Sequence, residues 1–235
     1  HQKISTGKAE NKFGLSIKNF KSFYKTIKKY KHIKLDALSV HIGSQILSDV
    51  PYKKMLNVMS NLIRELKLDL KFLDLGGGFG ISYNKKDKPI NLKKYSDSVN
   101  NLAKKLKCKI IFEPGRSIIG DTGILLSKIQ YIKKGVKKDF IIIDAGMNDF
   151  MRPALYDAVH KIIPTKKSKS KLKGTIEFVG PICESTCKFG SYKNYQKMNE
   201  KDFIAITNVG AYGSSLSSNY NSRPLIAELL VNKNK

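Results

Sequence analysis

The stretch "LKFLDLGGGFGISY", residues 70–83, sets an apolar run directly against three consecutive glycines, Gly76–Gly78. The apolar run is typical of a buried strand that ends where the glycines begin. A Walker-type phosphate loop needs Gly-Lys-Ser/Thr, but Gly80 is followed by Ile81 and Ser82. A dinucleotide fingerprint needs glycine at the sixth position, where Ile81 stands, so both motifs are excluded. Two interpretations remain: a tight turn without a ligand, or a loop whose backbone N–H groups face an anion.

Strands and helices alternate around this loop with a period of about 35 residues, which indicates βα units and a parallel sheet. The predicted helices cover residues 16–31, a segment opened by Pro51, and residues 92–106; the predicted strands cover Leu35–Val40, "LKFLDL" and "KIIFEPGR". The strand ends carry "HIGS", the glycines and "EPGR", and a (β/α)8 barrel builds its active site at such ends. Because three units cannot close a barrel of eight, we expect further strands upstream of this sequence.

The pattern changes after Gly120 to short strands separated by turn residues, which predicts a mostly antiparallel β domain. The strands are expected in "GILLSKIQYIKKG", "FIIIDAG", "GTIEFVGP" and "DFIAITNVGAYG", with one short helix from Pro153 to about His160 and a solvated loop from Lys166 to Lys173. The predicted domains are therefore residues 1–119, the C-terminal portion of a (β/α)8 barrel, and residues 120–235, a β-sandwich or β-barrel-like domain that is incomplete at its end.

The chain has 235 residues, of which 41% are hydrophobic, enough for one large domain or two smaller ones. Its net charge of +25 invites a nucleic-acid function. Almost all the basic residues are lysines, however, and no aromatic residues are interleaved with them as in a base-stacking surface. We therefore interpret them as solvated helix faces and loops. This lysine pattern argues against nucleic acid as a partner. No apolar stretch is long enough to cross a bilayer, so a membrane is not an expected partner either.

Three cysteines, Cys108, Cys183 and Cys187, form an odd and sparse set. Such a set argues against a disulfide framework and predicts a reducing compartment, the cytoplasm. Cys183 and Cys187 are separated by three residues, but no nearby histidine or further cysteine completes a zinc site, so no metal is predicted. A reactive thiol at Cys183, beside Glu184, remains open.

Arginine occurs only at positions 64, 116, 152 and 223. Where lysine is the default cation, an arginine can indicate that a planar, bidentate donor is required. Arg116, Arg152 and Arg223 stand beside glycine or proline in "EPGRS", "FMRPALY" and "YNSRPL". They are candidate anion-binding residues, and ordinary ion pairing is the alternative for each.

Six motifs in order resemble the fold-type III, pyridoxal-phosphate-dependent decarboxylases: "HIGSQ", "LDLGGGFGISY", "EPGRS", "DAGMNDFMRPALYDA", "GPICES" and "AYGSSLSSNYNSRP". A further segment, "ISTGKAENKFG", matches near the start. The resemblance implies a (β/α)8 barrel followed by a β domain, in homodimers whose active sites are completed by the partner chain. It also implies decarboxylation of meso-2,6-diaminopimelate at its D-configured centre, which releases L-lysine in the last step of lysine biosynthesis.

The resemblance implies pyridoxal 5'-phosphate as the cofactor, which serves as the electron sink that loss of CO2 requires. It places the Glu113 carboxylate beside the pyridine nitrogen, where a negative charge keeps the nitrogen protonated. It places His41 against the ring and gives the phosphate to Ser44 and the glycine backbone. The implied cofactor-binding residues are His41, Ser44, Gly76, Gly77, Gly78, Glu113, Pro114, Gly115, Arg116 and Tyr220.

The implied substrate-binding residues are Arg116, Arg152, Tyr156, Glu184 and Tyr220. Arginine forks suit the distal carboxylate, and Tyr156 lies one helical turn after Arg152. By resemblance Glu184 pairs with the distal ammonium, and Cys183 is the catalytic proton donor to the α-carbon. Both would act in the partner chain's site. The resemblance assigns no role to His160, and Arg223 would simply brace its loop.

Members of the family carry the lysine that binds the cofactor covalently on the first barrel strand, well before "HIGSQ". No lysine of this sequence stands in a matching context, so we expect this chain alone to be inactive. Three alternatives remain: a decarboxylase for ornithine, arginine or a carboxylated polyamine; a non-catalytic regulatory relative; and a basic nucleic-acid-binding module. Arg116 and Arg152 argue against the first, because simple diamino acids have no distal carboxylate to bind.

Overall fold

The computed structural model of the chain describes residues 12–84 and 86–232. Most of the segment "ISTGKAENKFG", residues 4–14, lies outside the described residues. Contacts between residues divide the chain into two compact units, with the division between Ile118 and Ile119. Across the described ranges, no helix is long and apolar enough to span a membrane.

The first unit is built from alternating helices and strands, and its three strands form one parallel sheet. Its elements are α1 (Ile17–Ile27), β1 (Ala37–Ser39), α2 (Asp49–Glu65), β2 (Phe72–Asp74), α3 (Leu92–Leu106), β3 (Lys109–Ile111) and α4 (Arg116–Ile119), the last of which spans the division. Leu73 in the central strand stands opposite Leu38 and Ile110. The predicted βα units and their parallel sheet are confirmed.

The ends of the helices follow from local side-chain chemistry. Ser48 caps α2 by accepting a hydrogen bond from the Val50 N–H, so this helix begins before Pro51, which lies in its first turn. The predicted helix at residues 92–106 is confirmed, and it ends where Lys107 takes a left-handed φ of 53°. The first predicted helix is shorter than expected, because α1 ends at Ile27.

The core of the first unit forms where α2 and α3 cover the central strand. Leu73 and Leu75 are almost completely buried among side chains of the two helices, including Tyr52, Met59 and Val99. Burying side chains of this size contributes roughly 1.5–3 kcal/mol each. This packing fixes β2, and with it the start of the glycine loop that follows the strand.

The second unit contains one six-stranded sheet in the order β6-β9-β4-β5-β7-β8. Its elements are β4 (Ile124–Lys133), β5 (Asp139–Ile143), α5 (Arg152–Tyr156), β6 (Ile162–Pro164), β7 (Thr175–Val179), β8 (Lys188–Lys193) and β9 (Phe203–Thr207). All neighbouring strands are antiparallel except β5 and β7, which are parallel. The prediction of a mostly antiparallel sheet after residue 120 is confirmed.

Two expectations for the second unit need correction. The helix predicted from Pro153 to about His160 is only the five-residue α5, because Asp157 takes a left-handed φ of 54° and ends it. The strands β6 and β8 were not predicted. The predicted lysine- and serine-rich loop is exposed, as expected, apart from Leu172, which is partly buried against the core of the second unit. Lys171 in this loop forms an isolated bridge with Gln196.

Candidate functional site

The carboxyl ends of the three parallel strands bring the predicted residues of the first unit together. His41 follows β1, Gly76–Gly78 follow β2, and Glu113 follows β3. The Gly77 N–H donates to His41 Nδ1 at 3.4 Å, and the Glu113 N–H donates to the Gly76 carbonyl at 2.9 Å. Residues far apart in sequence therefore share one sheet edge, which is where parallel α/β folds bind ligands.

The glycines are required because the backbone of neighbouring strand ends approaches them closely. A β-carbon at Gly77 would lie 2.0 Å from the Glu113 carbonyl oxygen, and one at Gly78 would lie 2.2 Å from the Gly43 carbonyl oxygen. Gly78 also has a φ of +89°, which side-chain-bearing residues rarely adopt. Close backbone packing therefore requires glycine at both positions.

The three glycine N–H groups differ in their availability for a ligand. The Gly76 N–H donates to Asp74 Oδ1 at 2.8 Å, and the Gly77 N–H is directed at His41. The Gly78 N–H donates to no atom in residues 12–84 and 86–232. Of the three glycine N–H groups, that of Gly78 is therefore the one without an acceptor in the described residues.

Arg116 and Ser44 form a second group of donors in the first unit. The Arg116 side chain is buried, and its guanidinium donates to Ser44 Oγ at 3.1 Å and to the Tyr83 hydroxyl oxygen at 2.5 Å. Tyr83, which sequence reasoning gave no role, also places its ring 5.7 Å from Arg116 Cζ. A guanidinium that is hydrogen-bonded to a hydroxyl in this way can bind an oxyanion.

Glu113 and His41 are both exposed, whereas Pro114 is only partly so. Within the described residues, the Glu113 carboxylate has no hydrogen-bond partner. Gly115 is exposed and accepts a hydrogen bond from the Ile118 N–H at 3.0 Å, which starts the short α4. The Glu113 carboxylate is available to a protonated ring nitrogen, and the neighbouring strand ends carry hydrogen-bond donors that can bind an anion. This combination fits a phosphorylated pyridine such as pyridoxal phosphate.

In the second unit, Tyr220 and Glu184 are brought together. The Tyr220 hydroxyl donates to Glu184 Oε1, and this hydrogen bond, with the nearby negative charge, raises the pKa of Tyr220. Thr186 Oγ1 donates to the other carboxylate oxygen at 3.3 Å. Glu184 is exposed, so it can also accept a hydrogen bond from a ligand ammonium.

The two cysteines of "CESTC" have different environments. Cys183 is exposed, whereas Cys187 is buried and its sulfur accepts a hydrogen bond from the Met147 N–H at 3.4 Å. Only the Cys183 thiol is therefore accessible to a ligand. Among the residues that the structure describes, no three His, Cys, Asp or Glu side chains are grouped as a metal site would require.

Arg152 is the first residue of α5 and is buried, and Tyr156 is the last residue of that helix. The Arg152 Cζ lies 5.9 Å from the ring of Tyr212, which has a left-handed φ of 59°. Tyr212 belongs to the motif "AYGSSLSSNYNSRP" quoted above, but the sequence alone gave it no role. An aromatic face against a guanidinium restricts the orientation of the fork.

Arg223 braces its loop, as the sequence suggested. Its Nη2 donates to the Asp144 carbonyl at 2.8 Å and lies 3.4 Å from Asp149 Oδ2. The buried Asp149 also accepts hydrogen bonds from the Gly146 N–H and the Asn148 side-chain amide. Sequence reasoning missed Asp149 and Asn148, although "GMND" before a predicted helix was a signal for a side-chain-stabilised turn.

His160 is buried and has a structural environment. Its Nδ1 lies 3.0 Å from the Thr207 carbonyl oxygen, and its ring packs edge to face on Phe150 at 4.7 Å. These contacts agree with the absence of an assigned role for this histidine.

Comparison with known proteins gives a consistent result. Residues 1–120 match the family described as the pyridoxal binding domain of pyridoxal-dependent decarboxylases. The diaminopimelate decarboxylase of Aquifex aeolicus is 39% identical over an alignment of 234 positions, which covers 98% of this chain and 56% of that protein. A Helicobacter pylori diaminopimelate decarboxylase is 41% identical over an alignment of 239 positions, which covers 100% of this chain and 58% of that protein.

Solved structures agree with the sequence relatives. The crystal structure of Helicobacter pylori diaminopimelate decarboxylase complexed with L-lysine superposes with a TM-score of 0.85 at 40% identity, over 96% of this chain and 57% of that one. A lysine/ornithine decarboxylase from Vibrio vulnificus, complexed with cadaverine, has a TM-score of 0.83 over 97% of this chain and 63% of that one; at 21% identity it shows only the shared fold. The chain spans little more than half the length of the curated relatives it matches.

Proposed function

The chain belongs to the pyridoxal-dependent decarboxylase family, and we propose that the complete protein converts meso-2,6-diaminopimelate to L-lysine and CO2. The observation that carries this proposal lies at the carboxyl edge of the first unit's sheet. There, hydrogen-bond donors that can bind an anion, Arg116 and Ser44 among them, accompany the exposed Glu113 carboxylate. Its support is the identity of about 40% to several diaminopimelate decarboxylases along nearly the whole chain. We also propose that residues 1–119 are part of a (β/α)8 barrel and residues 120–235 part of its β domain.

The proposed cofactor is pyridoxal phosphate, which when bound supplies an electron sink for the carbon that loses CO2. Ser44, Arg116 and the Gly78 N–H would hold its phosphate. Glu113 would keep a proton on the pyridine nitrogen, because a nearby carboxylate favours the charged ring. His41 would contact the ring face, and Pro114 and Gly115 would shape the turn that carries Arg116.

The substrate's distal end carries an ammonium and a carboxylate, and the second unit has a side chain of opposite charge for each of them. We assign the distal carboxylate chiefly to Arg152, supported by Tyr156, because Arg116 and its partner Ser44 are assigned to the cofactor phosphate. Glu184 would bind the distal ammonium, and Tyr220 would hold the Glu184 carboxylate in position while contacting the ligands. Because Cys183 and Glu184 are exposed, they are available to the active site of a second copy of this chain in the proposed homodimer.

The role of Cys183 as proton donor leads to a kinetic prediction. In the complete enzyme, Cys183→Ala should lower kcat by about 10²–10⁴-fold, the usual contribution of a positioned acid, and change KM much less. Steady-state kinetics with diaminopimelate would measure both constants. Cys108→Ala is the matched control for loss of a thiol and should retain activity. Weaker substrate binding with an intact kcat in the Cys183 variant would contradict the assignment.

The proposed substrate is tested by comparing amino acids with and without a distal carboxylate. The complete reading frame that encodes this chain, supplied with pyridoxal phosphate, should release CO2 from meso-diaminopimelate and not from ornithine or arginine. The reason is the requirement for a distal carboxylate to occupy the Arg152 fork. Activity on the simple diamino acids alone would retain the family chemistry and overturn the assignment of Arg152.

A further inference from the structure

Tyr52 lies in the first turn of α2 and is fully buried, yet it bears directly on the glycine loop. Its hydroxyl donates a hydrogen bond to the Gly77 carbonyl oxygen at 3.0 Å. Its ring stacks on Phe79, with centroids 5.1 Å apart, and contacts Tyr95 at 4.9 Å. The hydroxyl is therefore held in place by a packed aromatic cluster rather than by a flexible surface side chain.

The Gly77 carbonyl and the Gly78 N–H belong to the same peptide unit. Because that unit is planar and trans, the two groups point in opposite directions. When Tyr52 draws the carbonyl toward the core, the N–H is turned away from it. Consistent with this geometry, Gly78 is partly exposed whereas Gly76 and Gly77 are buried, and the Gly78 N–H has no acceptor in the described part of the chain.

The other end of Gly78 is also fixed. The Gly78 carbonyl accepts a hydrogen bond from the Ile46 N–H at 2.9 Å, and the β-carbon that Gly78 lacks would strike the Gly43 carbonyl oxygen. Gly78 is thus held on its carbonyl side by a hydrogen bond and by close backbone packing. In residues 12–84 and 86–232, the Tyr52 hydroxyl is the one hydrogen-bond partner of the Gly77–Gly78 peptide, and it sets the orientation of that peptide.

We propose that Tyr52 is a positioning residue for the cofactor phosphate: its hydroxyl holds the Gly77 carbonyl in the core and thereby directs the Gly78 N–H at the phosphate. This inference rests on the proposed function, which places a phosphate at this sheet edge. Burial raises the pKa of Tyr52, so its hydroxyl remains a protonated donor. An N–H oriented before the ligand arrives costs no reorganisation on binding.

Tyr95 provides a matched control within the same cluster. It is buried beside Tyr52, but its hydroxyl has no hydrogen-bond partner in residues 12–84 and 86–232. Burial raises the pKa of Tyr95 to about 12, so this hydroxyl is also neutral. Tyr95→Phe therefore removes one oxygen from the aromatic cluster without releasing the Gly77 carbonyl.

The test compares two ligands that differ only in the phosphate. Dissociation constants for pyridoxal phosphate and pyridoxal are measured by equilibrium dialysis with the complete protein, as wild type, Tyr52→Phe and Tyr95→Phe. Tyr52→Phe should reduce the preference for the phosphorylated ligand about tenfold, which corresponds to ~1.4 kcal/mol. Pyridoxal itself should bind within about twofold of its wild-type affinity, and Tyr95→Phe should leave both constants unchanged.

Each outcome decides the inference. If Tyr52→Phe retains the wild-type preference for phosphate, or weakens both ligands in parallel, Tyr52 has a purely structural role and the inference is overturned. If the wild-type protein itself shows no preference for the phosphorylated ligand, the phosphate site proposed above is wrong and the inference falls with it. That second failure is recognised from the wild type alone, so the two are distinguishable.

Discussion

Gly77→Ala should destabilise the first unit by about 3 kcal/mol or more, because the new methyl group would overlap backbone and not a movable side chain. The β-carbon would lie 2.0 Å from the Glu113 carbonyl oxygen and 2.9 Å from its carbon. Relief requires the ends of β2 and β3 to separate, which also breaks the hydrogen bond from Glu113 to Gly76. Urea denaturation of the complete protein, followed by circular dichroism, would measure the loss.

Gly115→Ala is the control for Gly77→Ala. Gly115 lies in the adjacent turn, and a β-carbon there would meet no atom within 4 Å. Its substitution should change the unfolding free energy by no more than about 1 kcal/mol in either direction. If Gly77→Ala were as stable as Gly115→Ala, the close approach of the two strand ends would be contradicted.

Arg152→Ala should raise KM for meso-diaminopimelate by about 30- to 150-fold in the complete enzyme. The estimate follows from the roughly 2–3 kcal/mol that a hydrogen bond between charged groups contributes. Arg152→Lys should recover only part of the loss, because an ammonium cannot form the planar, two-pronged contact with a carboxylate. Steady-state kinetics across the three proteins would measure the change.

Arg64→Ala is the matched control for a lost arginine. Arg64 is exposed near the end of α2, where it hydrogen-bonds Asn61 and the Ser60 carbonyl, and the proposal gives it no role. Its substitution should leave KM within about twofold, because surface changes of this kind are usually within about 0.5 kcal/mol. An unchanged KM in Arg152→Ala would reassign Arg152 to packing against Tyr212.

Much of the fold could be predicted from the sequence because the strong periodic patterns coincide with buried faces. The helix at residues 92–106 was predicted at its observed bounds, since Tyr95, Val99 and Leu102 form one buried stripe. By contrast β8, "KFGSYK", is an edge strand in which only Phe189 is buried, so it carries no alternating apolar signal. The strand β6 is three residues long and ends in Pro164, too short for a period to be recognised.

The sequence also indicated where the candidate cofactor site lies, but not which hydrogen bonds its residues form. Glycines, Glu113 and His41 stand at the ends of predicted parallel strands, and topology alone brings such ends to one edge. The sequence could not show that Asp74 and His41 engage the first two glycine N–H groups, because this depends on side-chain positions. Nor could it show that Asp149 is the buried partner of Arg223, since they are 74 residues apart.

The most direct test of the central claim is the formation of L-lysine from meso-diaminopimelate by the protein encoded by the complete reading frame. We expect equimolar lysine and CO2, formed only when pyridoxal phosphate is present, with no product from ornithine or arginine. Lysine and CO2 formed equally well without the cofactor, or no lysine from a folded protein that binds pyridoxal phosphate, would contradict the claim.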